Sequence, residues 1–287
     1  RTAPAALGTT EEHHVTAMAI VAGAWASGTN FPSNLLQCAS SGTQTALFVA
    51  GGYTGSPAAD TDVDTTFEYD GTNWTAGGAL PNVEYGQRGA GTQTAGLKIG
   101  GFPKINRVAA YDGSSWTAAP TLNTGRNSMC AIGTQTAAVS AGGDTHPDDP
   151  RESALVEEYD GSSWSEVTNV PAARRAGMGG GTLTAGLVSG GYSGTATFTS
   201  AFEYDGTNWT EGGTMLLGQS NNGGGGTQTS TISAGGGSPK AICQTYNGTS
   251  WSTSPSLATA RELPGSGGGP ASTAALNIVV GGDTPPL

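Results

Sequence analysis

Arginine is the residue type whose placement first suggests chemistry. Arg126, Arg174 and Arg261 each stand just before a short stretch rich in Gly and Ala, joined by Arg175 and, at the fifth such place, by Gln219. Guanidinium groups repeated at equivalent places could ring a shared opening and grip a carboxylate or a sulfated sugar through paired hydrogen bonds. The alternative is that each bonds loop carbonyls or pairs with a neighbouring Asp. Tyr53, Tyr192 and Phe102 each follow a Gly-Gly pair, where an aromatic ring could stack on a sugar or pack over a sheet edge. Asp60, Asp62 and Asp64 alternate as acidic ligands do in calcium loops. However, the sixth position of such a loop is Thr65 rather than Gly and the twelfth is Gly71 rather than Glu, so a solvated acidic loop fits better. His13 and His14 are adjacent, and on a strand they would point to opposite faces, a poor chelate; His146 completes the histidines. Cys38, Cys130 and Cys243 are odd in number and widely spaced. They give neither a disulfide framework nor a zinc pattern and read as small buried thiols. No metal and no cofactor is expected.

Composition narrows the partners. The 287 residues carry 11 Lys and Arg against 22 Asp and Glu, a net charge of −11. Such a chain has no electrostatic footprint for nucleic acid or an anionic membrane. No apolar run reaches the roughly 18 residues needed to span a bilayer.

The elements that must position these residues are read from a repeat. Gly-Gly pairs after an apolar run fall at Gly51, Gly100, Gly142, Gly190, Gly235 and Gly281, spaced 42 to 49 residues apart. Trp25, Trp74, Trp116, Trp164, Trp209 and Trp251 keep step with them. Tyr69, Tyr111, Tyr159, Tyr204 and Tyr246 stand five residues before the last five Trp, and the text between is DGTN, DGSS, DGSS, DGTN and NGTS. A third marker, GTQT or a close variant, precedes most Gly-Gly pairs. Asp-Gly and Asn-Gly between short apolar runs signal hairpins, because these residues accept positive φ. Each unit therefore reads as four short strands. In the third unit these are 127–133, 137–143, 155–159 and 164–167. No sustained 3.6-residue apolar period argues for helix. Four-stranded units of about 45 residues are the blades of a β-propeller.

Closure can also be read. The last Gly-Gly strand is not followed by a Tyr–Trp hairpin, whereas the stretch HVTAMAIVAGAW at the other end supplies a hairpin without a Gly-Gly strand. Residues 14–27 should complete the sixth blade, with Ile20 in the Tyr place and Trp25 beside the last strand. Residues 1–13 are expected to form an extension, and 14–287 a single domain.

The Gly-Gly pair followed by spaced Tyr and Trp, as in SAGGD…EEYDGSSW, resembles the kelch motif over essentially the whole chain. The dialect YDGTNWTAGGALP…GAGTQTAGLKIGG is similar to kelch-type repeat proteins encoded by marine bacteriophages. That resemblance implies an all-β, six-bladed kelch propeller serving as a non-enzymatic virion or appendage protein (a tail, fibre or capsid-surface component). Its partners would be other virion proteins or copies of itself, with host-surface glycan contact as a further role, and it would be extracellular, on the virion. The alternative is a secreted lectin-like module binding through Tyr53, Arg126, Arg174, Arg175, Tyr192 or Arg261. An oxidase or glycosidase comes third, because no copper-ligand, nucleophile-elbow or phosphate-loop pattern is present. Binding is expected on the face whose loops vary, opposite the uniform TQT and DGTN turns.

Overall fold

The computed structural model describes residues 10–14, 24–54, 61–237, 240–262, 265–267 and 276–282. Every regular element among them is a β-strand, in six four-stranded antiparallel sheets and one small three-stranded sheet. Blade 1 comprises Ala39–Thr43, Ala46–Ala50, Thr66–Tyr69 and Trp74–Ala76. Blade 2 comprises Arg88–Thr92, Ala95–Gly101, Ile105–Tyr111 and Trp116–Ala119. Blade 3 comprises Cys130–Thr134, Ala137–Ala141, Val156–Tyr159 and Trp164–Val167. Blade 4 comprises Met178–Thr182, Ala185–Ser189, Ala201–Tyr204 and Trp209–Glu211. Blade 5 comprises Gly223–Thr227, Ser230–Ala234, Cys243–Tyr246 and Trp251–Ser254. The first strands of successive blades lie side by side around an axis, and that of blade 6 returns to blade 1.

Blade 6 is built from both ends of the sequence. Its strands, outermost first, are Ala24–Ser27, Thr10–His14, Leu276–Val280 and Gly265–Gly267. The seam lies where the missing hairpin placed it, with two corrections. The inner of the two N-terminal strands begins at Thr10, so residues 10–13 belong to the blade rather than to an extension. In register, Trp25 stands opposite His13, as Trp74 stands opposite Tyr69. His13 thus holds the Tyr place; Ile20 lies outside the described residues. Exchange of strands between chain ends leaves no unpaired edge at the seam.

Adjacent blades are joined by a repeated set of side-chain contacts. Each Tyr stacks on the Trp of its own hairpin, with ring centroids 4.5 Å apart for Tyr204 and Trp209 and 5.1 Å for Tyr246 and Trp251. Three of the phenols reach the preceding blade: Tyr111 donates to Glu68 at 2.6 Å, Tyr204 to Glu158 and Tyr246 to Glu203, both at 2.7 Å, whereas Tyr159 donates to Gly161 of its own turn. The indole N–H also reaches back, Trp116 to Thr66, Trp164 to the Pro120 carbonyl and Trp25 to the Pro255 carbonyl, each at 2.9 Å. The Gln of GTQT clamps the preceding blade too. Gln93 donates to the carbonyls of Leu47 and Tyr69, Gln135 to Gly96 and Tyr111, and Gln228 to Gly186 and Tyr204. Between blades 1 and 2 the wedge is filled by Ala39, Phe48, Ala50, Ala109, Tyr111 and Trp116.

Near the axis the blades converge until a Cβ does not fit. One added at Gly89 would lie 2.5 Å from the Ser40 carbonyl oxygen, and one at Gly179 2.5 Å from that of Ala131. The inner strand of blade 3 starts at Cys130 rather than at residue 127. Ser128 adopts φ +52°, which breaks the strand.

Candidate functional site

The uniform turns share one face, since the Gly of each Asp-Gly turn lies against the TQT turn of its own blade, as Gly113 does against Thr94. The opposite face carries the variable loops and the mouth of the axis. A ring of residues with positive φ borders that mouth: Gln37, Gly86, Ser128, Ala176 and Asn221. Each amide donates to the carbonyl of the equivalent residue in the preceding blade, Gly86 to Gln37, Ser128 to Gly86, Ala176 to Ser128 and Asn221 to Ala176, at 2.7 to 3.0 Å. The backbone thus ties a hoop around the opening, and the left-handed turn points each amide along the ring rather than into a sheet.

The three buried arginines sit behind this hoop, not in the mouth. Arg126, Arg174 and Arg261 are all fully buried, which corrects the picture of a cation ring open to ligand. Arg126 pairs with Glu157 at 2.8 Å and donates to the carbonyl and hydroxyl of Ser140. Arg174 donates to the carbonyls of Ala172, Gly190 and Ser200 and lies over the rings of Phe198 and Phe202; desolvation lowers its pKa to about 10. Arg261 donates to the Gly281 carbonyl at 2.9 Å. Gln219 holds the same place in blade 5, donating to Gly235 and Ile242. The carbonyl of each of these residues accepts the amide of the second Gly in the preceding blade's Gly-Gly pair: Gly101 to Arg126, Gly143 to Arg174, Gly191 to Gln219 and Gly236 to Arg261. These residues are rivets between blades. In blade 2 the place is filled by Glu84, buried and paired with Lys98 and Arg107, so the charges are exchanged while the link persists.

The mouth itself is a funnel of about 480 Å³ lined among others by Tyr53, Asp62, Tyr85, Phe102, Asn127 and Asp144. Three rings, Tyr53, Tyr85 and Phe102, line it, and the ring of His146 continues the series behind Phe102. Tyr53 meets Tyr85 edge-on at 5.2 Å, Tyr85 stacks on Phe102 at 4.9 Å, and Phe102 stacks on His146 at 5.7 Å. Tyr53 is positioned by the small sheet of Leu35–Leu36, Tyr53–Thr54 and Thr61–Asp62. Next to the His146 end of the rings lies a polar cluster, Asp144 accepting the His146 amide at 2.8 Å. Asp144, buried, takes Arg151 through two bonds, at 2.5 and 3.1 Å, and stands 3.6 Å from Arg175. Arg175 also pairs with Glu152 at 2.9 Å and lies over Tyr192, 5.0 Å from the ring centroid.

Of the residues singled out by sequence, Tyr53 and Arg175 line the funnel, and Tyr192 backs it through Arg175. Asp62 lines it as well and is exposed, Asp64 is partly buried nearby, and Asp60 lies outside the described residues. Among the described residues no group of three His, Cys, Asp or Glu is placed to hold a metal ion. Tyr85, His146 and Asp144 complete the site without having been assigned to it. Tyr85 stands next to the rivet position, as Asn127 and Arg175 do in later blades, and that repeated adjacency is the signal that could have found it.

No protein-family model and no curated protein matches the chain. Solved structures do. The one titled "Structure of YjhT" superposes with a TM-score of 0.67 over 87% of this chain and 94% of its own, at 14% sequence identity. The chain is a six-bladed β-propeller. At that identity the likeness is one of fold, and the propeller's site has to be read from its own residues.

Proposed function

We propose that this propeller is a non-enzymatic recognition module whose mouth takes a glycan, carried as a structural component of a virion or its appendage. The observation behind the glycan reading is the arc of Tyr53, Tyr85 and Phe102 in a funnel that polar side chains also line. Sugars present apolar C–H faces that stack on aromatic rings, and hydroxyls that need paired acceptors and donors. Asp62, Asn127 and the Asp144–Arg151–Arg175 cluster supply the latter within the same cavity. A preformed hoop of backbone hydrogen bonds keeps this wall rigid, which lowers the ordering cost of binding. The virion setting is supported by the repeat dialect, and assembly with other virion proteins or with further copies of the chain belongs to that setting.

The glycan reading is tested by a glycan array followed by calorimetry on the hits. Binding tighter than millimolar is expected, falling about tenfold or more in Tyr85→Ala and Phe102→Ala, since a lost aromatic contact of ~1.4 kcal/mol is a factor of ten. Silence across the array, or hits untouched by both variants, overturns it. The virion setting is tested separately, by finding the chain in fixed stoichiometry in purified particles.

A further inference from the structure

Below the funnel the axis narrows to a channel of about 70 Å³. Gln37 and Asn221 line both spaces, so the funnel opens onto the channel. The channel wall is made mainly of Gly, Ala, Ser and sulfur-bearing residues, with the amides of Gln37, Asn221 and Asn222, Ile132, and one charged group, Arg88, at the start of the inner strand of blade 2.

Arg88 differs from the other arginines described so far. Arg107, Arg126, Arg151 and Arg175 each meet a carboxylate, and Arg174 and Arg261 are fully buried donors to backbone carbonyls, whereas Arg88 is partly exposed. The hydrogen bond of the Arg88 guanidinium is to the carbonyl of its neighbour Gln87, at 3.1 Å, and among the described residues no carboxylate lies within ion-pair distance of it. The titratable groups that act on Arg88 are the thiols of Cys38 and Cys130. Both are buried and pushed up to about 11 by desolvation, so they are neutral at pH 7 and balance no charge. Desolvation lowers the pKa of Arg88, yet a guanidinium does not give up its proton in a protein. A partly buried cation that keeps its charge and has no carboxylate within ion-pair distance among the described residues draws its counter-ion from solvent.

We propose that the channel binds one small monovalent inorganic anion on the Arg88 guanidinium. A single positive charge sets the valence. The volume sets the size, since roughly 10–15 Å³ of such space accommodates one water and 70 Å³ leaves room for an anion with a partial hydration shell. The same positive charge excludes metal cations from the two thiols. This site is separate from the glycan arc and does not depend on it.

The experiment melts the full chain in sodium chloride and sodium gluconate at equal ionic strength, and repeats both series in Arg88→Met. Chloride should raise the wild-type Tm saturably, by about 3 °C at tenfold its dissociation constant for a chain of this length. Gluconate, too large for the channel, should not do so, and R88M should lose the difference between the two salts. Equal responses to both salts in the wild type, or a chloride response kept in R88M, overturn the proposal. If R88M does not fold, wild-type crystals grown in bromide decide it. Anomalous density within hydrogen-bond distance of Arg88 supports the site, and its absence at full bromide concentration refutes it.

Discussion

Replacing Arg126 by Met separates the two meanings that the recurring arginines had in the sequence. As a rivet, Arg126 neutralises Glu157 in a place where both side chains are wholly shielded from water. Glu157 also accepts the amides of Asn123 at 2.7 Å and Thr124 at 3.2 Å. R126M leaves this carboxylate buried without its cation and leaves Ser140 without its guanidinium donor. Removing one partner of a buried pair costs about 3–5 kcal/mol. At about 2–4 °C per kcal/mol for a chain of this size, Tm should drop by about 6–20 °C. The double variant R126M/E157Q removes both charges and keeps an amide oxygen to accept from Asn123. It should recover part of the loss, with a coupling of about 0.5–3 kcal/mol in the double-mutant cycle. The assay is thermal and urea unfolding followed by tryptophan fluorescence, with glycan affinity measured at 20 °C, where R126M remains folded. Stability should change and affinity should not. A variant that melts with the wild type but loses ligand would return Arg126 to the mouth and refute the rivet assignment.

Three further outcomes follow from the same contacts. The phenols of Tyr111, Tyr204 and Tyr246 have raised pKa values, through desolvation first and their Glu partners second. A raised acid contributes stability below its unfolded pKa of about 10 and loses it as pH climbs toward the folded value, so alkaline unfolding should set in above about pH 10, with phenolate absorbance rising together with the loss of near-UV dichroism. Asp112 and Asp160 are held at about 2 by hydrogen bonds from the two residues that close each turn, Ser114 and Ser115, and Ser162 and Ser163. Their contribution is present above the unfolded value of about 3.9 and is lost as pH falls toward 2; urea midpoints measured from pH 5 to pH 2 should decline over that window, less so in D112N/D160N. Deleting residues 1–27 removes the two outer strands of blade 6 and bares the edge of Leu276–Val280, so the truncated chain should elute as oligomers or aggregate; an unchanged monomer peak with the wild-type Tm would contradict the seam.

What the sequence determined by itself was the periodic part. Gly-Gly, Tyr and Trp in step, with Asp-Gly turns between them, dictate local hairpins, because positive φ and strand alternation act over a few residues. The surplus strand at one end and the surplus hairpin at the other determined the seam, since an unpaired sheet edge is costly. The tertiary structure decided where side chains go once six blades meet. Arg126, Arg174 and Arg261 occupy equivalent places in the sequence whether they face solvent or a sheet, and only the structure shows their side chains turned onto buried acceptors of their own blades. Tyr53 and Phe102 share the place after Gly-Gly, but Tyr85 and His146 stand elsewhere in the repeat, and the four come together only when neighbouring blades pack. Arg88 reads as an ordinary strand residue until the channel around it is seen to hold no acid among the described residues. Period encodes the strands of each blade and the recurring Tyr, Trp and Gln contacts to the blade before it; which non-repeated side chains meet at the mouth is set by packing, which no local pattern records.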